Sequence, residues 1–179
     1  MAHFAVQAMG GFAELMYEGV IPERSVTQIL EHRFSRGGAT SSIANSRIVE
    51  EDGVVLGGLQ AYPWDAAEED PKDLLIPEAR LPFFEPFEHL SPSGRYYINI
   101  LAVYPEYRGR GLARQLMAVA EDQGRVAGFR EAALHVFSEN RAAVSLYEGL
   151  GYRQAGRRPL VAHPKLHYDG DMLLLTRTL

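Results

Sequence analysis

Apolar residues recur along this chain with two spacings, one helical and one alternating, and the breaks between them predict the elements. Over His3–Tyr17, Phe4, Ala8, Phe12, Leu15 and Met16 follow a helical period that Gly10-Gly11 interrupts. Pro22 opens a second helix, with Val26, Ile29, Leu30 and Phe34 on one face, and the small polar stretch Ser35–Ser42 closes it. Two strands follow, Ser46–Glu50 and Val54–Ala61, joined by the turn signal Glu51-Asp52-Gly53. Gly57-Gly58 inside the second strand points to a bulge or to the close approach of another segment. A strongly apolar strand, Tyr97–Val103, stops at Pro105, and a helix follows over Leu112–Ala127. Glu131–Phe137 reads as a strand. Asn140–Leu150 reads as a helix with Ala143, Leu146, Tyr147 and Leu150 on one face, ending at Gly151. Tyr152–Val161 and Met172–Leu179 read as two closing strands. Strands before, between and after helices predict one α/β domain over residues 1–179, built on a mixed sheet.

Residues 62–95 follow neither period. They carry six of the ten prolines, which argues against an interior strand. An acidic run, Asp65–Asp73, precedes an apolar-aromatic piece, Leu81–Phe87. A connection this long is either a solvated excursion or a functional flap. Phe83, Phe84 and Phe87 favour a segment that folds back over something.

Charge and composition narrow the function. The net charge of −5 gives no electrostatic footprint for nucleic acid. The absence of cysteine removes disulfides, thiol nucleophiles and zinc–thiolate sites, and the six histidines show no metal-ligand spacing, so no metal is expected. Neither a spanning apolar run nor a secretory leader pattern is present, so the expectation is a cytoplasmic protein without membrane contact.

The chemistry gathers at Arg108-Gly-Arg-Gly-Leu-Ala-Arg114, between the apolar strand and the helix start. Strand, glycine loop and helix N-terminus together aim several backbone N–H groups at one spot, which suits an anion. The loop lacks the GxxxxGK[ST] of a nucleoside-triphosphate site. It starts like GxGxxG but ends in Arg114, without the βαβ context of a dinucleotide fold. Instead, Arg108-Gly-Arg-Gly111-Leu-Ala113 resembles the [QR]-x-x-G-x-[GA] loop of the GNAT acyltransferase superfamily. A second stretch, Asn140-Arg-Ala-Ala143-Val-Ser-Leu146-Tyr147-Glu-Gly-Leu-Gly151-Tyr152, resembles that family's N-x-x-A-x-x-[LF]-Y-x-x-x-G-[FY] helix. The likeness covers Tyr96–Leu179 well, the Arg47–Ala61 hairpin fairly and the N-terminal helices only by order.

The resemblance implies a mixed, mostly antiparallel sheet with helices on both faces and a splayed central strand pair. It implies acetyl-CoA as acyl donor and an amine as acceptor. The diphosphate would lie on Arg108, Gly109, Arg110, Gly111, Leu112, Ala113 and Arg114, and the pantetheine arm along the main chain of Leu101, Ala102 and Val103. Asn140 would contact the donor as well as cap its helix. Tyr147 would be the acid: a phenol with a pKa of about 10 stays protonated and can give its proton to a leaving thiolate. The general base is open. Tyr97 and Asn99 stand where some relatives place Glu or His, and neither is a good base. Asn99 can hold a relaying water, Glu85 or Glu88 can serve instead, and Asn99 can equally be a satisfied polar residue. The acidic run and these two glutamates hint at a cationic acceptor. A non-catalytic acyl-CoA-binding module is the alternative reading. No strand is found in Met1–Met9, where relatives begin with one, and a C-terminal strand able to pair between subunits leaves a homodimer open.

Overall fold

The computed structural model describes residues 1–70 and 73–179. The N-terminus is helical from its second residue, as α1 (Ala2–Ala8) and α2 (Phe12–Tyr17). The apolar period spans both, but Gly10 and Gly11 take φ of +54° and +93° and split it. A Cβ at Gly11 would overlap the carbonyl oxygen of Lys165, so the break also makes room for the late loop packed there. Helix α3 (Val26–Ser35) begins later than Pro22 suggests. Ser25 and Gln28 form a reciprocal capping box there: Ser25 Oγ accepts from the Gln28 N–H at 3.2 Å, and Gln28 Oε1 accepts from the Ser25 N–H at 2.9 Å.

The hairpin strands are β1 (Ser46–Glu51) and β2 (Val54–Pro63). After α4 (Trp64–Glu68), a 3₁₀ segment (Glu78–Phe84) and α5 (Glu85–Glu88) come β3 (Tyr96–Val103), α6 (Leu112–Val126) and β4 (Glu131–Phe137). The chain closes with α7 (Arg141–Gly149), β5 (Arg153–Pro159) and β6 (Asp171–Thr178). One six-stranded sheet results, ordered β1-β2-β3-β4-β6-β5. Every neighbouring pair is antiparallel except β3–β4.

Two apolar layers cover the sheet. Leu116, Met117 and Ala120 of α6 and Tyr147 of α7 pack with Ile98, Leu134 and Leu175. On the other face Phe4, Ala5, Ile29, Leu30 and Phe34 pack with Ile100 and Ala102. No strand precedes α1, as expected; α1 itself lies on β2 and β3, with Phe4 against Tyr104 at 4.8 Å between ring centres. Gly58 permits this approach, because a Cβ there would sit 2.5 Å from the Phe4 ring.

The proline-rich stretch contains turns of helix rather than bare loop, and its polar side chains hold it in place. Asp65 ties its two ends together, accepting from Ser93 Oγ at 2.9 Å and from the Gly94 N–H at 3.1 Å. Asp70 accepts from the Thr40 N–H at 2.9 Å, and Asp73 accepts from Tyr17 Oη at 2.6 Å while pairing with Arg33. Arg80 donates to the carbonyls of Met16 and Glu18, each at 2.9 Å. Pro71 and Lys72 of the acidic run lie outside the described residues. Among the described residues, no helix is long and apolar enough to cross a membrane.

Valine suits a strand better than glycine, so any loss at position 58 reports the clash with α1. Gly58→Val is expected to cost about 1–3 kcal/mol by overpacking, read as a lowered urea midpoint at unchanged m-value.

Candidate active site

Strands β3 and β4 pair only from Tyr96–Ala132 to Ile98–Leu134. On its other side, β3 pairs Ile98 with Ala61 and Ile100 with Gln60, leaving Asn99 as the extra residue of a bulge. The bulge bends β3 away from β4 and reverses its side-chain alternation. Tyr96 and Ile98 face α6 before it, Leu101 and Val103 after it. Beyond it, the Tyr104 N–H donates to the Leu56 carbonyl at 3.0 Å. The alternation of an antiparallel ladder therefore turns the polar backbone groups of Leu101 and Val103 towards the gap. The Val103 carbonyl accepts from Gln7 Nε2 at 2.9 Å and from Arg108 Nε at 3.2 Å. A cleft of about 320 Å³ fills the gap, lined by Asn99, Leu101, Ala102, Val103, Asn140 and Tyr147 among others.

A hollow of about 370 Å³ adjoins it, bounded by Val103, Arg108, Gly109, Gly111, Leu112, Ala113 and Arg114. Gly109 and Gly111 take φ of +77° and +78°, and the space a Cβ would occupy at either is open. No acidic residue stands in the first turn of α6, so its N–H groups meet no competing carboxylate. These features suit a diphosphate: bare backbone donors, two arginines and room. Arg110 is turned away, its Nη2 bonded to both carboxylate oxygens of Glu51 at 2.7 and 2.9 Å. Asn140 caps α7, accepting from the Ala143 N–H at 3.3 Å, and still borders the cleft. Tyr147, deeply buried, has its pKa pushed up to about 12 by burial.

On the opposite side of Asn99 lies a third cavity, of about 270 Å³, with a largely aromatic lining. It shares Ala8, Asn99, His135 and Phe137 with the cleft, so the two spaces meet there. Asn99 Nδ2 donates to Gln60 Oε1 at 2.9 Å. Gln60, fully buried, in turn donates from Nε2 to the Ser41 and Ser42 carbonyls at 3.0 and 3.3 Å, which fixes the Asn99 amide. Tyr97 Oη lies 2.9 Å from His135 Nδ1, and His135 Nε2 lies 2.9 Å from the Leu90 carbonyl. A carbonyl only accepts, so Nε2 carries the proton and Nδ1 accepts from the Tyr97 hydroxyl. Burial among Trp64, Tyr97 and Phe87 lowers the His135 pKa to about 4, against a smaller raising effect of the Leu90 carbonyl. Burial also raises Tyr97 well above the usual phenol range, helped by the neighbouring Tyr62 and Tyr147 hydroxyls.

Comparison with known proteins follows the same line. The model of the Acetyltransferase (GNAT) family matches residues 13–152. The chain belongs to the GNAT acetyltransferase family. It is 36% identical over 63 residues to the uncharacterized N-acetyltransferase YycN of Bacillus subtilis, covering 35% of this chain and 40% of that one. It is 43% identical over 58 residues to N-alpha-acetyltransferase 30 of Saccharomyces cerevisiae, covering 32% of this chain and 33% of that protein. The chain thus spans less than half the length of these two curated relatives. A GNAT family acetyltransferase from Elizabethkingia anophelis, solved with acetyl-CoA bound, shares the fold at a TM-score of 0.54 and 15% identity, over 85% of this chain and 83% of that one.

Two residues of this GNAT site escape sequence reading. His135 lies on a strand with no ligand or nucleophile spacing around it, and only the pairing of β3 with β4 brings it to Tyr97. Its position two residues before Phe137, on the strand predicted to flank the splay, is the one signal that could have marked it. Gln60 reads as an ordinary strand residue. Glu85 and Glu88, considered as bases, line neither cavity; both are exposed, and Glu85 sits 3.5 Å from His89.

The His135 shift has a consequence for stability. Between about pH 6.5 and pH 4 the unfolded chain holds a proton on this imidazole that the folded chain does not, so stability falls as pH falls through that window. The loss is expected to be about 2–3 kcal/mol, and His135→Gln should flatten that part of a stability–pH curve measured by urea unfolding.

Proposed function

We propose that this protein is an N-acetyltransferase that moves the acetyl group of acetyl-CoA directly to a primary amine. The observation that carries this reading is the meeting of the two cavities at Asn99 and His135. A donor-sized cleft from the glycine loop and a separate aromatic cavity open onto the same few atoms. The partial likeness to an N-alpha-acetyltransferase supports an amine as acceptor.

Each residue then has a task. Arg108, Arg114 and the N–H groups from Gly109 to Ala113 hold the diphosphate, with Arg110 screening the loop through Glu51. The backbone of Leu101–Val103 takes the pantetheine amides, and Asn140 borders the arm. A backbone N–H near Val103 polarises the thioester carbonyl. Asn99, held by Gln60, presents its free oxygen at the junction to an incoming amine or to a water beside it.

Proton movements follow the hydrogen bonds. As the amine nitrogen bonds to the carbonyl carbon it becomes strongly acidic. Tyr97 accepts its proton while passing its own to His135 Nδ1, which is already aligned to receive it. A base with a pKa of about 4 is sufficient only because the nitrogen gives up its proton after attack has begun. On the other side, Tyr147 delivers a proton to the departing sulfur. Its pKa of about 12 keeps it protonated across the working range. The C–S bond breaks, the C–N bond forms, and the proton lost by nitrogen balances the one gained by sulfur.

Two substitutions separate donor binding from chemistry. Gly111→Glu puts a carboxylate and a strained φ into the cradle and is expected to weaken acetyl-CoA binding at least about 100-fold by calorimetry. Tyr147→Phe should leave acetyl-CoA affinity within about threefold and lower kcat by about 10²–10⁴, read by thiol release across an amine panel. Normal turnover by Tyr147→Phe would remove it as the acid. Tight acetyl-CoA binding without amine-stimulated release by the wild type would replace the enzyme with an acyl-CoA-binding module.

A further inference from the structure

The third cavity constrains the acceptor more than the loop sequence does. Its walls include Met9, Phe12, Met16, Trp64, Phe84 and Phe87, and among the described residues no aspartate or glutamate lines it. Phe12 forms edge contacts with Phe84 and Phe87, at ring separations of 6.0 and 5.1 Å, so the wall from α2 and the roof of Trp64, Phe84 and Phe87 close on each other. Four carboxylates of residues 64–87 are engaged elsewhere: Asp65 bonds to Ser93 and Gly94, Asp70 to Thr40, Asp73 to Tyr17, and Glu68 accepts from Trp64 Nε1 at 3.0 Å. Glu69, Glu78 and Glu85 are exposed and do not line the cavity. A second ammonium group carried into this space would lose its hydration with no counter-charge to meet it.

Size and proton chemistry point the same way. A dry apolar cavity of roughly 150 Å³ admits a benzene ring, so about 270 Å³ holds an aromatic or large aliphatic side chain together with its attachment. The junction offers Tyr97, His135 and Asn99 but no carboxylate, so an amine that arrives already neutral is favoured. At pH 7 an α-amine with a pKa of about 7.8 is neutral in about one molecule in seven, against about one in 2,500 for a lysine-like amine near 10.4. We infer that the acceptor is an α-amine whose carbon bears an aromatic or large aliphatic side chain, seated among Phe12, Met16, Trp64, Phe84 and Phe87. This inference rests on the acyl-transfer reading above. The same chemistry occurs in an amino-acid amide and in the first residue of a peptide.

The test is a steady-state panel at saturating acetyl-CoA with phenylalaninamide, a tetrapeptide beginning with Phe, glycinamide, lysinamide and spermidine. Phenylalaninamide or the tetrapeptide is expected to exceed glycinamide, lysinamide and spermidine in kcat/KM by about 30-fold or more. The better of the first two identifies the source. Phe84→Ala and, separately, Trp64→Leu should each narrow the gap between phenylalaninamide and glycinamide about tenfold, chiefly through KM. Both side chains are only partly buried, so the substitutions remove less packing than a change within the core. If spermidine, lysinamide or glycinamide matches the better of phenylalaninamide and the tetrapeptide, the inference falls and acyl transfer stands. If acetyl-CoA binds and no amine is acetylated, the acyl-transfer reading falls and this one with it.

Discussion

The site depends on a parallel strand pair that stops after three residues. β3 and β4 begin side by side at Tyr96 and Ala132, and the extra residue at Asn99 ends their partnership. A continuous ladder would have consumed the backbone groups of Leu101 and Val103 and left no cleft. The sheet can tolerate the interruption because β2 keeps pairing with β3 along its full length and β6 with β4 along its own. Asn99 is therefore placed by backbone geometry before its amide does any chemistry. The same bend lets one strand supply Tyr97 to the aromatic cavity and Val103 to the glycine-loop hollow.

Much of the donor half was legible in the chain. Gly109 and Gly111, the helix start at Leu112 and the Asn140–Tyr147 spacing are local features, set by φ values and by about two helical turns, and such features survive in a linear reading. The sheet was legible as a class for the same reason: β2, β3, β4 and β6 each announce themselves by apolar runs. The acceptor half was not legible. Its walls come from α1, α2, β2, β3, β4, β6 and the segment after β2, residues from 8 to 172 that no spacing links. His135 shows the limit most clearly, since a histidine within a strand acquires meaning only from the tyrosine on the strand beside it.

The acidic run illustrates a different limit. Negative charge along 65–73 suggests attraction for a cation, yet Asp65, Asp70 and Asp73 bind hydroxyls, backbone N–H groups and Arg33. Composition records how many charges there are. It cannot record that they are already satisfied, and a satisfied carboxylate pins a segment down instead of drawing a ligand in. The prolines were read more successfully: β2 runs two residues further than expected but stops at Pro63, and among the described residues no strand follows before Tyr96.

The Val103 carbonyl, held by Gln7 and Arg108, has a further meaning. A splayed strand end is an exposed β-edge, and exposed edges recruit strands from other chains. One side chain from α1 and one from the glycine loop occupy that acceptor, so the edge is blunted while the gap is free of donor. Both are long, flexible and easily displaced by a ligand that offers better-aligned amide donors, which a colliding polypeptide strand could supply only by fitting the same narrow gap. The gap thereby stays half-open without leaving the Val103 carbonyl bare to another strand.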